Sequence, residues 1–482
     1  MEWAALLNEE RFFWPTNLDV DKRPETENRS WVFQQDAARL CSSSAFRRLQ
    51  AKTQVLPFPK TDYPRTRLTH TLEVSNIGRR LALNVGRRLA ESNAWQTTGL
   101  DAIDFAANLV EITAAACLAH DIGNPPFGHA GEDAIKGWFD ARFAQTQRYP
   151  NLSQVTEDIR RDVQRFDGNA QGFRVLTYLQ GWGREGGLQM SLAVLGAFSK
   201  YPRTSRFAVS DKYGVMSEEA EQAKYIFSKL GMRELETDGK DFEFARHPLA
   251  YIVEAADDIA YVSADLEDAV RSSVLEFEAA EKMLLSIASR SSYKPNQTER
   301  MKRYKDLKRT SKMARLRYLR THATTELVRE AEVVFLDKLT AIMEGTYRGE
   351  LLKDSKLGDA IADIKSISHK EVHNSRGKIE NEIAGKNVIY GLLDIFAEAF
   401  ETLLHRGGLN KVSDLERKLL LIFPWDNYFQ ADHPDELTDQ VDRLNPSQLL
   451  YMLVDFVSGM TDRYASSMFR QLTGNQQPFA NW

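Results

Sequence analysis

The spacing of hydrophobic positions predicts helices along almost the whole chain. Residues 69–90 carry hydrophobic side chains at the three- and four-residue steps of one helix face, with a threonine near the start that can cap the helix. The same periodicity predicts helices at 36–55, 102–121, 249–270, 324–345, 377–405 and 445–472. Gly123, Pro125 and Pro126 end the helix of 102–121, and Pro248 suits the first turn of 249–270. Strand patterns are short, at 46–58 and 242–246, so we expect an all-α fold with minor short β segments.

Composition and charge exclude several classes of protein. Hydrophobic residues make up 43% and charged residues 27% of the 482, which indicates a globular chain, and a net charge of −5 argues against a protein built to coat nucleic acid. Only Cys41 and Cys117 are present, which excludes a thiolate zinc site and a disulfide framework and fits a reducing compartment. No signal peptide is evident, and the longest apolar run, around 114–119, is far shorter than a membrane span, so we expect a cytoplasmic protein with no membrane segment.

One segment differs from the rest in charge. Residues 290–320 hold twelve Lys or Arg residues against two acids, a local charge of +10 in a chain of −5. Tyr293, Tyr304 and Tyr318 are interleaved with these cations. Cations with interleaved rings are typical of single-stranded DNA binding, with Lys302, Arg303 and Lys305 as candidate contacts. A solvated helix face and a contact between subunits are equally good interpretations.

The sharpest chemical signal is the pair His120-Asp121 in AHDIGNPPFGHAGE. A nitrogen and an oxygen ligand at a broken helix end suit Mg²⁺, Mn²⁺ or another borderline divalent ion. Further ligands are available from His70 in RLTHTLEV and from Asp257 or Asp258 in EAADDIAYVSADLED.

These segments also occur together with AFRRLQAKTQV, DGNAQGFR, KYPR and SGMTDRYA, in one order from about residue 36 to residue 470. The set resembles the bacterial deoxyguanosinetriphosphate triphosphohydrolases (dGTPases), a branch of the HD superfamily that is named after its His-Asp pair. The resemblance implies an N-terminal extension at 1–35, an HD-domain helical core at 36–275, and additional C-terminal helices at 276–482 that include the basic segment.

The resemblance implies a reaction and the residues that carry it. The divalent ion, Mg²⁺ or Mn²⁺, would be held by the four ligands His70, His120, Asp121 and Asp257. Water activated by the metal would attack the α-phosphorus of dGTP, which releases deoxyguanosine and inorganic triphosphate. His129 would be the catalytic histidine, and Glu132, one helical turn further on, would orient it.

A substrate-binding set is implied in the same way. The expected phosphate contacts are Arg67, Asn169, Lys200, Tyr201 and Lys212. Asp257, Tyr261 and Asp265 follow one another at four-residue steps, so a helix places them on one stripe. In the family, the tyrosine packs under the deoxyribose, where a 2′-hydroxyl would clash, and the 3′-hydroxyl is held by Asp265 and Gln54.

Three alternatives stay open. A broad-specificity dNTPase would share every residue above, because the guanine preference follows from the resemblance alone. Another HD nucleotide phosphohydrolase would share the metal ligands but would not need Arg67, Lys200 and Tyr201. A nucleic-acid-binding regulatory protein of the HD type would be expected to have lost ligands, which this chain retains. The family also implies a homo-oligomer, with a hexamer expected.

Overall fold

The computed structural model describes residues 1–13, 30–54, 65–144, 147–181, 187–271, 274–289, 294–307, 311–368, 370, 376–429 and 433–475. Over these residues the chain is mainly helical, which confirms the predicted all-α class. The helices up to residue 260 are α1 (Trp3–Leu6), α2 (Ser30–Ser42), α3 (Ser44–Arg48), α4 (Arg67–Glu91), α5 (Ala102–Ala119), α6 (His129–Phe143), α7 (Glu157–Gln164), α8 (Gly168–Arg174), α9 (Leu192–Phe198), α10 (Ala220–Lys229) and α11 (Pro248–Ala260). The later helices are α12 (Leu266–Arg271), α13 (Phe277–Ala288), α14 (Lys294–Leu307), α15 (Lys312–Asp337), α16 (Leu339–Met343), α17 (Gly358–Ser368), α18 (Arg376–Arg406), α19 (Asp414–Ile422), α20 (Pro434–Asp442), α21 (Pro446–Gly459) and α22 (Asp462–Leu472).

Strands form a single hairpin among the described residues. β1 (Glu234–Asp238) pairs antiparallel with β2 (Asp241–Phe244), and the register is irregular between Glu234 and Glu236. The prediction of a strand at 242–246 is therefore confirmed by β2, while β1 was missed because ELETD is mostly exposed and polar. The strand predicted from residue 46 is wrong over the described part, where α3 is followed by a 3₁₀ turn at Leu49–Ala51, and residues 55–58 lie outside the described residues.

Capping side chains explain where several helices begin. The Thr66 hydroxyl accepts a hydrogen bond from Thr69 N, and Thr66 N donates one to the Thr69 hydroxyl, so the predicted helix of 69–90 starts slightly earlier, at Arg67 of α4. The helix predicted at 36–55 is divided, because Ser43 caps a new helix by accepting from Phe46 N. Thr461 similarly caps α22 and divides the helix predicted at 445–472.

The helix predicted at 249–270 begins with Pro248, as expected, but it is not uniform. α11 ends at Ala260, a π turn follows at Tyr261–Asp265, and α12 continues the chain. Because a π turn inserts an extra residue, the regular four-residue stripe expected from Asp257 onward is interrupted at Tyr261.

Two apolar cores lie side by side. The first is built mainly on α4, α5, α9, α11, α13 and α15, and the second on α6, α18 and α21. Each core takes residues from both sides of residue 275, since Leu327 and Phe335 belong to the first and Phe139 and Ile135 to the second. The division of the chain into 1–35, 36–275 and 276–482 stays a prediction.

Residues 11 and 12 are held against the first core by an ion pair and hydrogen bonds. Arg11 forms a buried ion pair with Asp36 and donates to the Gln189 carbonyl at 2.9 Å. Asp36 also accepts from Ser191 N at 3.1 Å. Phe12 N donates to the Met190 carbonyl at 2.9 Å, so this stretch packs against the body of the protein.

α5 is the one described helix that is long and apolar enough to cross a membrane. It is longer than the apolar run at 114–119 suggests, because Ile103, Phe105, Leu109 and Ile112 extend it. Most of it is buried between α4, α2 and α9, which is the environment of a core helix. Cys117 lies in this buried part, as expected for a small structural thiol.

Candidate active site

Three packed helices bring the predicted metal ligands to one place. α4 carries His70, α11 carries Asp257 near its end, and α5 ends just before His120 and Asp121. α4 packs along both α5 and α11, so residues far apart in the sequence meet here. The chain turns after Ala119, which lets His120 Nε2 and Asp121 Oδ1 approach to 3.6 Å.

The donor atoms of these side chains form a compact group. Ligand atoms of His70, His120 and Asp121 lie within 4.8 Å of one another. Asp257 Oδ1 lies 3.0 Å from His70 Nε2 and 3.7 Å from His120 Nε2. His120 Nδ1 lies 2.7 Å from the Cys117 carbonyl and donates to it, so Nε2 carries the lone pair; that atom is buried and has no hydrogen-bond partner among the described residues. A buried imidazole nitrogen beside two carboxylates suits a divalent cation.

The structure distinguishes the two adjacent aspartates of α11. Asp257 faces both histidines, whereas Asp258 Oδ1 accepts from Lys365 Nζ at 2.9 Å. Burial acts to raise the pKa of Asp257, but the hydrogen bond with His70 and the charges around it hold that pKa well below its ordinary value. Asp257 is therefore ionised and available as a ligand, in the position that the family pattern predicts.

Arg67 lies beside the metal group and is nearly buried. Its Nη1 donates to Asp121 Oδ2 at 2.7 Å, and the Asn124 amide donates to the other oxygen of the same carboxylate. Burial acts to raise the pKa of Asp121, but Arg67 and the neighbouring histidines lower it overall. Gly128 lies against the guanidinium with a φ of +60°, and an added Cβ would stand 2.8 Å from Arg67 Nη2. Glycine is thus required there both by the backbone and by the arginine.

His129 and Glu132 form the expected pair on the first turn of α6. His129 Nδ1 lies 3.0 Å from Glu132 Oε2, and Glu132 Oε1 accepts from Gly168 N at 2.9 Å. The His129 side chain is 82% exposed and that of Glu132 is 5% exposed, so a buried acid orients an accessible ring. Burial acts to raise the pKa of Glu132, but His129, Lys212 and the Gly168 amide outweigh it and lower the pKa to about 2.

Lys212 and Asn169 stand next to this pair. Lys212 Nζ lies 3.2 Å from Asp167 Oδ2 and 3.7 Å from Glu132 Oε2. Asn169 donates to Asp167 Oδ1 from its backbone amide at 2.8 Å and from its side chain at 2.7 Å. Burial acts to lower the pKa of Lys212, but the two carboxylates raise it overall, so a cation is held beside His129.

Lys200 and Tyr201 occupy another wall. Lys200 Nζ lies 3.5 Å from Glu254 Oε1 and 5.6 Å from the centre of the Tyr201 ring. Burial acts to lower the pKa of Lys200, but Glu254 and further nearby groups raise it overall, so the ammonium stays charged. The guanidinium groups of Arg203 and Arg246 also lie over the Tyr201 ring, at 5.5 and 5.6 Å. Arg203 and Arg246 pair with Glu243 and Glu254, so the positive charge that this wall presents to the cavity is that of Lys200.

Two of the three predicted sugar contacts, Gln54 and Tyr261, line the cavity. Gln54 faces the cavity, and its Oε1 is buried without a hydrogen-bond partner among the described residues, so it can accept from a ligand hydroxyl. Tyr261 lines the same cavity at the start of the π turn. The backbone of Asp265 ends that turn, whereas its side chain lies outside the described residues.

All these walls enclose one cavity of about 540 Å³. The predicted residues that line it are Gln54, Arg67, His120, Asp121, His129, Glu132, Asn169, Lys200, Tyr201, Lys212, Asp257 and Tyr261. His70 is buried behind them, against Asp257. A volume of this size is within the range that holds nucleotide-sized ligands.

Sequence reasoning missed the wall that α17 and α18 contribute. Lys365 and Ser368 reach the cavity from α17, and Lys378 and Glu382 reach it from α18, with Lys378 Nζ 3.9 Å from Glu382 Oε1. These residues are more than 100 positions from the metal ligands and carry no motif of their own. The helix predicted at 377–405 was correct, but its periodicity did not indicate which end would meet the site.

A second missed contact joins Asp462, at the start of α22, to the loop that precedes α6. Asp462 Oδ1 accepts from Phe127 N at 3.0 Å, and its Oδ2 accepts from Thr53 N at 3.0 Å and from the Thr53 hydroxyl at 2.7 Å. Phe127 has a φ of +64°, which is uncommon for a residue with a side chain, and Gly385 lies directly against its ring. The segment SGMTDRYA, which contains Asp462, was the signal for this contact.

The basic segment is less uniform than its composition suggests. Lys302, Arg303 and Lys305 are exposed on α14, but Lys312, Arg315 and Arg320 pair with acids of the same chain. Tyr304 is 4% exposed, and burial together with a hydrogen bond to Glu281 raises its pKa to about 12. Tyr318 contacts the His322 ring, and Tyr293 lies outside the described residues. In this arrangement Tyr304 is not available to stack on a base.

Comparison with known proteins gives one match to a domain and several over nearly the whole chain. The HD domain model matches residues 67–162, which carry three of the four predicted ligands. The chain is 35% identical to the deoxyguanosinetriphosphate triphosphohydrolase-like protein of Pseudomonas aeruginosa (strain LESB58), with 99% of this chain and 100% of that protein covered. The chain belongs to the deoxyguanosinetriphosphate triphosphohydrolase family.

Two further relatives also match over more than nine tenths of both sequences. The deoxyguanosinetriphosphate triphosphohydrolase-like protein of Synechocystis sp. (strain ATCC 27184 / PCC 6803 / Kazusa) is 34% identical, with 98% of this chain and 99% of that protein covered. The deoxyguanosinetriphosphate triphosphohydrolase of Salmonella typhi is 31% identical, with 92% and 94% covered. Since HD domains are metal-dependent hydrolases, the resemblance inferred from the motifs is confirmed at the level of family and superfamily.

Proposed function

We propose that the protein hydrolyses dGTP to deoxyguanosine and inorganic triphosphate. One observation carries the proposal: a single cavity combines a His-Asp metal group, an accessible His129 fixed by Glu132, and the cations Arg67, Lys200 and Lys212. A metal group alone would suit many HD enzymes. The added cations can bind and neutralise three linked phosphates.

His70, His120, Asp121 and Asp257 would hold the metal, for which we propose Mg²⁺ or Mn²⁺. When bound, the ion supplies Lewis-acid charge, which lowers the pKa of water and neutralises the phosphate. Arg67 and Lys200 would position the phosphates, with Tyr201, Lys212 and Asn169 beside them. Attack of water at the α-phosphorus breaks the bond to the 5′-oxygen, which leaves as the hydroxyl of deoxyguanosine.

His129 is suited to move the proton in this reaction. Its Nδ1 is engaged by Glu132 Oε2, so Nε2 is the atom available to the reacting oxygens. Glu132 is ionised at neutral pH and is itself fixed by Gly168 N, which keeps the ring in one orientation. His129 is therefore the proposed catalytic residue, and Glu132 positions it.

The sugar and the base would occupy the remaining walls. Gln54 Oε1 lacks a partner and suits the 3′-hydroxyl, with Asp265 as the second predicted contact. Tyr261 would pack under the deoxyribose and exclude a 2′-hydroxyl. Glu382, on the wall from α18, is a carboxylate that could accept hydrogen bonds from the guanine edge.

An ion-exchange assay of the products tests the proposal. The four dNTPs and GTP are incubated with the protein and Mg²⁺ or Mn²⁺. We expect tripolyphosphate as the first inorganic product, with dGTP hydrolysed fastest, and we expect Tyr261→Ala to raise the rate with GTP relative to dGTP. Orthophosphate or pyrophosphate as the first product would overturn the site of attack. Equal rates with all dNTPs would identify a broad-specificity dNTPase.

We also propose a cytoplasmic homo-oligomer, with six subunits as the expected number, which light scattering on the purified protein tests. Binding of single-stranded DNA is a second proposal. The exposed Lys302, Arg303 and Lys305 support it, and the buried Tyr304 limits it to contacts with phosphates.

A further inference from the structure

A second cavity, of about 430 Å³, lies next to the catalytic one. The two cavities take neighbouring residues from the same segments: Lys52 lines the second and Thr53 the first, and Gly123 lines the second and Asn124 the first. The segment that carries Asp462 connects them as well, since Met460 and Thr461 line the second cavity and Asp462 accepts hydrogen bonds from Phe127 N and Thr53 N, two residues of the first. The second cavity is therefore separated from the catalytic one only by shared walls.

Two polar groups in this cavity have no partner among the described residues. Arg48 is half-buried and makes no hydrogen bond or ion pair there, and burial lowers its pKa. Gln171 is 2% exposed; its Nε2 donates to Asp455 Oδ1 at 2.8 Å, while its Oε1 is buried and unpartnered. A buried acceptor without a partner reduces stability, and a half-buried guanidinium without an ion pair is available to an anion, so a site for a ligand accounts for both.

The other charges near the cavity already have partners. Asp455 accepts from Arg174 Nε at 2.9 Å and from Gln171, and Arg174 also pairs with Glu219. Lys52 Nζ donates to the carbonyls of Asn124 and Ser458. Arg48 is thus the one cation of this lining without a described partner.

The lining also sets the shape of the ligand. Three aromatic side chains, Tyr428, Phe456 and Tyr464, line the cavity together with Met460. Such a surface suits a planar ring, and Gln171 Oε1 requires that the ring carry an N–H donor. Arg48 requires one anionic group.

We propose that the second cavity binds a nucleoside monophosphate, with the phosphate at Arg48 and the base between the aromatic side chains with an N–H on Gln171 Oε1. A triphosphate fits poorly, because its further charges would be desolvated without cations beside them. This site is distinct from the catalytic cavity and does not depend on the reaction proposed for it.

Asp462 connects the second cavity to the catalytic one. Its carboxylate holds Phe127 N and Thr53 N, and both residues line the catalytic cavity. Met460 and Thr461 precede it directly and contact the proposed ligand. A ligand in the second cavity would therefore be coupled to the catalytic cavity through these hydrogen bonds.

Isothermal titration of the full-length protein with GMP and dGMP tests the proposal without any need for turnover. We expect binding of one ligand per chain and at least a tenfold loss of affinity in Arg48→Met. Arg47→Met, an exposed neighbour on the same helix, is the matched control and should bind normally. Gly459→Leu is a second variant, since an added Cβ at this cavity-lining glycine meets nothing within 4 Å; its side chain should fill the cavity and weaken binding.

Lys200→Met distinguishes the two cavities, because it alters only the catalytic one and should leave the affinity for GMP unchanged. The absence of binding of either nucleotide up to about 5 mM would overturn the proposal. Loss of GMP binding in Lys200→Met with normal binding in both Arg48→Met and Gly459→Leu would also overturn it, since GMP would then occupy the catalytic cavity.

Discussion

The two ends of the catalytic cavity are built differently. At the metal end, His70 and Arg67 are buried, Asp121 is held by Arg67, and His120 is fixed by the Cys117 carbonyl. At the other end, Glu382 lies on a partly exposed helix face and is 3.9 Å from Lys378. The first end holds its groups in fixed positions before the substrate arrives, which suits bond breaking. The second can change with little effect on the fold, which suits the choice of base.

The largest expected effect is at the metal end. His120→Ala and Asp257→Ala should each remove bound metal and lower kcat/KM by about 10³-fold or more, because the Lewis acid is worth several kcal/mol to the transition state. Metal content by mass spectrometry and dGTP hydrolysis are measured together. Asp258→Ala is the matched control: its carboxylate pairs with Lys365, so metal should be retained. Full activity after complete removal of metal would contradict the assignment.

His129→Ala should slow turnover by about 10²-fold or more while the metal stays bound. The ring contacts Glu132 but none of the four proposed ligands within ion-pair distance among the described residues. Single-turnover rates with dGTP measure the effect on chemistry. Loss of metal in this variant would instead make His129 part of the metal site.

At the opposite end, Glu382→Gln should lower the preference for dGTP over the other dNTPs by about tenfold, as is usual when one specific contact is weakened. The ratio of kcat/KM values for dGTP and dATP is the measurement. Glu380→Gln is the control on the same helix, because Glu380 is exposed and pairs with Arg376 at 2.8 Å. An unchanged ratio in Glu382→Gln would exclude it from base recognition.

Ionisation of Glu132 makes the stability of the folded protein depend on pH. Its pKa is about 2 in the folded protein against an ordinary value of 4.5, so its ionised form stabilises the fold above pH 4.5, and this contribution is lost as pH falls towards 2. Glu132→Gln should therefore show a smaller fall in Tm than the wild type between about pH 5 and pH 3. Asp133→Asn, at an exposed neighbouring acid, should leave the fall in Tm as it is. Equal falls in wild type and Glu132→Gln would contradict this.

The smallest effect is expected outside the cavity. Charge reversal at Lys302, Arg303 and Lys305 should weaken single-stranded DNA binding and reduce its salt dependence, with no change in dGTP hydrolysis. Fluorescence anisotropy at several salt concentrations measures this. If DNA affinity is unchanged, or if light scattering shows that the oligomer dissociates, these cations are not a DNA site.

The metal end could be predicted from sequence, and the opposite end could not. His120 and Asp121 are adjacent, and His129 and Glu132 are one helical turn apart, so short motifs predict their proximity. Lys378 and Glu382 reach the cavity only because α18 packs on α6, a contact that periodicity does not specify.

Hydrophobic periodicity also failed to predict two local breaks in the helices. The π turn at Tyr261 depends on one inserted residue, and the break at Ser43 depends on a cap within a continuous amphipathic pattern. Tyr304 shows the reverse error: a ring among cations was interpreted as exposed, yet it packs on the first core.

The hydrogen bonds of Asp462 have a consequence for the order of events during synthesis. Phe127 and Thr53 leave the ribosome long before Asp462, so the loop that precedes His129 lacks the acceptor of Phe127 N until translation has passed α21. An uncommon φ at Phe127 is costly without that support. A nascent chain that has folded its first helices therefore still lacks a supported loop before His129, which delays nucleotide hydrolysis until Asp462 has been made.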